Sequence, residues 1–211
     1  MGAVLRQPWV KPAVFLLCLL PMALLAAGAL RNDLGANPIE AITHATGDWT
    51  MRFLLITLTV TPARRLLQLP DLIRFRRMFG LWAFFYGVLH LMTWMWLDKF
   101  FDPAEMLADV MKRRFITVGM LGFALMVPLA VTSTRGWIRR LGKKWQLLHR
   151  LIYFSAAAGV IHYWWLVKSD IRLPLMYGVI LAVLLGLRFI KNRPARVGGA
   201  RPVMPAAKAA K

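Results

Sequence analysis

Six stretches of the chain are dominated by apolar residues, at positions 12–30, 49–61, 78–97, 115–132, 148–167 and 173–190. Their lengths lie at or a little below the roughly 20 residues an α-helix needs to cross a bilayer. The pattern therefore predicts an all-α integral membrane protein with six transmembrane helices. The second stretch is the weakest, being short and ending at Thr61 and Pro62; extending its start back toward Ile42 would bring His44 to the membrane edge. The first has a basic lead, Arg6 and Lys11, and ends in small residues, a pattern shared with a cleavable signal peptide, although it is long for one. Residues 1–11 then form a short cytoplasmic N-terminus, 12–190 the transmembrane domain, and 191–211 a tail whose Pro, Gly, Ala and Lys content reads as disordered. No internal repeat stands out.

Composition changes this picture little. Hydrophobic residues make up 59% of the chain, above the roughly 45–50% of soluble domains. A net charge of +19 in a soluble protein would suggest a nucleic-acid partner, but here the charge lies between apolar runs, so no nucleic acid is expected. With six spans, 20 of the 28 Lys and Arg residues fall on one side, which the positive-inside rule makes cytoplasmic, together with both termini. Eight of the nine acids, all but Asp71, fall in the outer segments. The basic inner face suits anionic membrane lipid, or a phosphate-bearing cofactor or cytosolic donor. Tryptophans mark the interfaces, with Trp49, Trp94, Trp96, Trp164 and Trp165 outside and Trp9, Trp137 and Trp145 inside. The single cysteine, Cys18, excludes an intramolecular disulfide, a CxxCH haem attachment and a cysteine-ligated iron–sulfur cluster.

Candidate chemistry rests on the histidines. An imidazole within a membrane helix is costly unless it has a partner, which makes it a functional-site candidate. His90 lies about twelve residues into the third span and His162 about fourteen into the fifth. Both spans enter from the cytoplasm, so the two imidazoles stand at matching depth toward the outer face. That is the placement for bis-histidine ligation of one haem b between helices 3 and 5. Gly87 and Gly159 each precede one of these histidines by three residues and share its helix face, offering a porphyrin a clearing. The alternative is interhelical hydrogen bonding by two histidines on glycine-containing helices.

His149 stands at the inner edge among Lys143, Lys144 and Arg150, with His162 about 20 Å further along if one helix runs through both. A second, inner haem would need a histidine at the matching depth of the third span, where Arg76 and Arg77 stand instead. His149 is left open as a ligand, a propionate contact, a flavin neighbour or an interfacial structural residue. His44, in the outer loop, is a candidate for quinone or partner contact.

Several of these segments match a known family: Asn37 to Glu40, His44 to Gly47, Thr59 to Pro62, Arg76 to Trp82, Leu89 to Leu91, Thr132 to Thr134, Leu141 to His149 and Ile161 to Trp164. Over roughly residues 12–190 the chain resembles the haem-binding membrane subunit of the bacterial periplasmic methionine-sulfoxide reductase system. That group belongs to the ferric-reductase-like transmembrane superfamily, with the NADPH oxidases. The resemblance implies an inner-membrane electron carrier that binds haem b and FMN. Its electrons would come from the quinone pool or a cytosolic flavin reductase and pass to a periplasmic molybdopterin enzyme. His90, His149 and His162 match the family's haem-associated histidines, and a flavin would sit near Arg74 to Arg77 and Lys143 to Arg150. Unlike NADPH oxidases, the chain has Arg76 and Arg77 where the inner histidine of the third span would stand, and its tail reads as far too short for a nucleotide-binding domain. Two stacked haems and direct NADPH oxidation are therefore not expected, and the chain shows no methionine-sulfoxide active site of its own. Three rival readings remain. One is a membrane haem reductase acting on quinone or ferric chelates without a partner, another a small transporter, and the last an assembly protein without redox chemistry.

Overall fold

The computed structural model describes residues 2–167 and 169–189, so the tail beyond 190 lies outside the described residues. The elements in order are α1 Gly2–Arg6, α2 Val10–Leu30, α3 Pro38–Leu66, α4 Ile73–Met92, α5 Pro103–Lys112, α6 Arg114–Val131, α7 Arg135–Leu141, α8 Lys143–Leu148, α9 Leu151–Leu166 and α10 Arg172–Phe189. A 3₁₀ turn, Pro70–Leu72, leads into α4, and a π-helical turn, Thr93–Asp98, follows it. No strand occurs among the described residues.

Six long helices thus occupy the six apolar stretches. Three of them are long and apolar enough to cross a membrane on length and composition: α2, the continuous stretch 70–98, and α6. Of the others, α9 has only 16 residues, and α3 carries Glu40, Asp48, Arg52, Arg64 and Arg65.

The largest departure from expectation is α3. It begins at Pro38, well before the apolar run at 49, and so takes in His44, which the sequence reading had placed in a loop. Its start is fixed locally. Asn37 accepts the Glu40 N–H at 3.2 Å, and Pro38 sits where a missing N–H costs nothing. Threonines at 43, 46, 50, 57 and 59 return their hydroxyls to carbonyls four residues earlier, which lets a polar-looking segment enter an apolar setting fully bonded. At 29 residues α3 spans about 43 Å.

A second departure is the break between α8 and α9 at His149 and Arg150. The expected single helix from 145 to 165 is two helices. His149 closes α8, and the straight-helix separation from His162 does not apply.

Packing divides the bundle into two tight pairs, α3 along α4 and α6 along α9. Between α3 and α4, Phe53 stacks on Phe79, Trp82 and Tyr86, and Leu58 and Ala83 are fully buried. The α6–α9 pair approaches closely over small residues: a Cβ on Gly122 would meet the Ala158 Cβ at 3.2 Å, and the Ser155 hydroxyl donates to the Gly122 carbonyl at 2.8 Å. Helix α2 is fastened by Tyr86, whose hydroxyl donates to the Cys18 carbonyl at 2.9 Å and accepts the Met22 N–H at 3.1 Å. Helix α10 lies against α9 and α3. Leu16, Leu17, Leu24, Phe154, Val179 and Val183 face outward, as expected where hydrocarbon is the solvent.

Candidate cofactor site between two helix pairs

A cavity of about 650 Å³ lies between the α3–α4 pair and the α6–α9 pair, within the size range of cofactor pockets. His90, two residues before the end of α4, and His162, near the end of α9, enter it from opposite pairs. Their rings stand edge to face with centroids 6.1 Å apart. His90 Nδ1 lies 2.9 Å from the Thr43 carbonyl, and His162 Nδ1 lies 2.6 Å from the Phe115 carbonyl. A carbonyl only accepts, so each Nδ1 carries the hydrogen and each Nε2 keeps its lone pair for a metal.

The room around each ring comes from a neighbouring helix. A Cβ on Gly47 would fall 3.0 Å from the His90 ring, and one on Gly119 only 2.6 Å from His162 Nδ1. Gly87 and Gly159 line the same cavity but do a different job from the one expected of them. Gly87 makes room for Phe123 and Thr50, and Gly159 for the Met51 sulfur. Gly47 and Gly119 escaped the sequence reading because each lies more than forty residues from the imidazole it faces.

These contacts form a repeated device. In each pair a carbonyl 47 residues before the histidine holds Nδ1, and a glycine four residues after that carbonyl clears the ring. Thr43, Gly47, Met51, Gly87 and His90 of the first pair correspond to Phe115, Gly119, Phe123, Gly159 and His162 of the second, each 72 positions on, and all line the cavity. The expectation of no internal repeat is thereby corrected at the level of the site. The repeat is confined to about a dozen spaced positions and leaves no contiguous sequence signal. It is broken where polar groups replace apolar ones: His44 against Ile116, Asp48 against Met120, Tyr163 against Leu91. The Asp48 carboxylate lies beside the Tyr163 hydroxyl and 3.6 Å from Arg52, which in turn donates to the Tyr177 hydroxyl at 3.2 Å.

His149 and the two arginines are placed elsewhere. His149 does not line the cavity; it stacks on Trp145 at 3.8 Å, with Nδ1 3.0 Å from the Trp145 carbonyl. Its Nε2 is buried and finds no partner among the described residues. Arg76 and Arg77 stand in the first turns of α4, at the opposite end from His90, and Arg76 is close enough to His149 and Arg188 to act on both electrostatically. Arg188 bonds the Tyr153 hydroxyl and the Leu58 carbonyl, tying α10 to α9 and α3.

Among the described residues no three His, Cys, Asp or Glu side chains converge as a metal cage. An ion here would rest on two imidazoles, with its other ligands supplied by a bound group. Imidazole nitrogens hold transition metals at about 2 Å, so a single ion held by both residues would have to lie in the space between the two rings. The observed spacing and the free Nε2 atoms fit a haem.

Residues 13–160 match the family described as the ferric reductase like transmembrane component. The chain belongs to the ferric-reductase-like transmembrane family. Several similar proteins carry the name protein-methionine-sulfoxide reductase heme-binding subunit MsrQ. The Herminiimonas arsenicoxydans protein is 56% identical over 182 residues, covering 85% of this chain and 84% of its own. The Bordetella parapertussis protein is 49% identical, covering 85% and 88%, and the Rhodospirillum rubrum protein 50% identical, covering 90% and 92%.

Proposed function

We infer that the chain is the haem-binding membrane subunit of a protein-methionine-sulfoxide reductase system and moves electrons across the bacterial inner membrane. The observation that carries this reading is the facing pair His90 and His162, each with its Nδ1–H committed to a backbone carbonyl. A haem b held by this pair supplies reversible one-electron chemistry at iron. The protein's part is to fix both tautomers, to orient both rings, and to surround them with an apolar wall that includes Leu54, Met120, Phe123 and Met126.

The six long helices act as six spans with both termini cytoplasmic, which sets the cavity toward the periplasmic face. Electrons enter at the basic inner face from the quinone pool or a cytosolic flavin reductase. Arg76, with His149 and Arg188 beside it, and Arg77 next to it in the chain suit the phosphate of an FMN there. The acceptor is a periplasmic molybdopterin catalytic subunit that reduces methionine sulfoxide; the chain contributes no substrate site of its own.

The test is anaerobic. The purified protein is reduced and mixed with the periplasmic subunit and methionine sulfoxide. Reoxidation that requires both additions supports the relay. Reoxidation by ferric chelate or quinone alone, at the same rate, would instead identify a reductase that works without a partner.

A further inference from the structure

The outer mouth of the cavity carries donors that the histidine pair does not use. His44 lines it one residue after Thr43, whose carbonyl holds His90. Arg113 lines it two residues before Phe115, whose carbonyl holds His162. A donor therefore flanks the mouth on each side, next to the backbone that sets each imidazole. Trp94 lines the same mouth, and its indole N–H is buried with no acceptor among the described residues. A buried donor without a partner points to an acceptor the protein itself does not supply.

The acids at this mouth are already engaged. Glu40 accepts from the Asn37 amide at 3.0 Å, Asp48 faces Arg52 at 3.6 Å and Asp98 faces Lys99 at 3.6 Å. By contrast His44 makes no hydrogen bond among the described residues, and Arg113 commits only Nε, to Asp109 at 3.3 Å. Asp109 is itself fixed by the buried Lys99 at 2.9 Å, and Lys99 also binds Glu105 at 2.7 Å. This chain of ion pairs links the turn after the His90 helix to the start of the His162 partner helix. It holds the rest of the Arg113 guanidinium available at the mouth.

We propose that His44 and Arg113 form a carboxylate-binding collar that receives the two propionate groups of the haem, with the Trp94 N–H as a third donor. The proposal rests on the reading of the cavity as the haem site. It assigns His44 to the cofactor rather than to quinone or partner contact. It also gives the Lys99 ion-pair cluster a role, as the support that positions Arg113.

The test uses the full chain with its haem in lipid nanodiscs, comparing wild type with Arg113→Gln, Arg113→Lys and His44→Ala. Two properties are read: the propionate bending bands in the resonance Raman spectrum, and the rate of haem transfer to apomyoglobin. Losing one charge-assisted bond should speed release about tenfold in Arg113→Gln and His44→Ala, shift the propionate bands, and leave the low-spin iron signature intact. Arg113→Lys, which keeps the cation, should restore most of the retention. Unchanged bands and release rates in both Arg113→Gln and His44→Ala would overturn the proposal. Haem retained undiminished in His90→Ala would instead mean that the site reading beneath it had failed.

Discussion

His162 Nδ1 and Gly119 are so close that a single methyl group on the glycine would overlap the imidazole, at 2.6 Å. The equivalent contact between Gly47 and His90 is slightly looser, at 3.0 Å. Each imidazole is thus seated by a glycine of the adjacent helix, and the two seats differ in tightness.

Gly119→Ala should therefore cost more haem than Gly47→Ala, since its methyl group would overlap the imidazole more deeply. Overpacking of this kind costs roughly 1–3 kcal/mol. Gly186, with open space around its Cβ position, is the control and should be neutral. The haem-to-protein ratio and the thermal midpoint of the purified variants check the order.

A Cβ on Gly159 would meet the sulfur of Met51 at 2.6 Å, the far end of a flexible side chain. Gly159→Ala should be destabilising alone and largely rescued by Met51→Ala. A coupling of about 0.5–3 kcal/mol in a double-mutant cycle is expected. Additive effects would show that the two residues do not contact.

The Lys99 cluster makes a prediction in pH. Glu105 and then Asp109 hold the Lys99 ammonium well above its ordinary value. With the folded value raised, the contribution is fully present below the unfolded value of about 10.4 and is lost as pH rises through the folded one. Thermal stability should therefore fall on going from neutral pH to strongly alkaline pH. Lys99→Met should flatten that decline and lower the thermal midpoint near neutral pH.

His149 stacks on Trp145 outside the cavity. His149→Phe, which keeps an aromatic partner for the indole, should retain one low-spin haem per chain. Loss of haem in this variant would reveal a second site at the inner face.

Much of this arrangement could be read from the sequence. The six apolar stretches marked the six long helices, and the matching depths of His90 and His162 anticipated two rings meeting across the bundle. Gly87 and Gly159 were picked out and do line the cavity, although for Phe123 and Met51 rather than for the histidines. What stayed hidden depends on contacts between helices. Gly47 and Gly119, and the carbonyls of Thr43 and Phe115, carry no local signal, because a backbone acceptor has no side-chain identity and a glycine is common in membrane helices. The early start of α3 was only partly anticipated, because hydropathy alone begins the second run at Trp49 and allows an extension no further than Ile42. The Asn37 cap, Pro38 and the self-bonded threonines favour helix without apolarity. The break at His149 falls at the polar start of the fifth apolar stretch, where no Pro or Gly at 149 or 150 marks it.

The central claim is that one haem is held between His90 and His162. The most direct measurement is the reduced-minus-oxidised visible spectrum of purified His90→Ala and His162→Ala, with haem quantified against wild type and His149→Phe. The account predicts one low-spin b-type haem per chain in wild type and in His149→Phe, and loss of that signature in each of the other two. An unchanged spectrum and haem content in either His90→Ala or His162→Ala would contradict it.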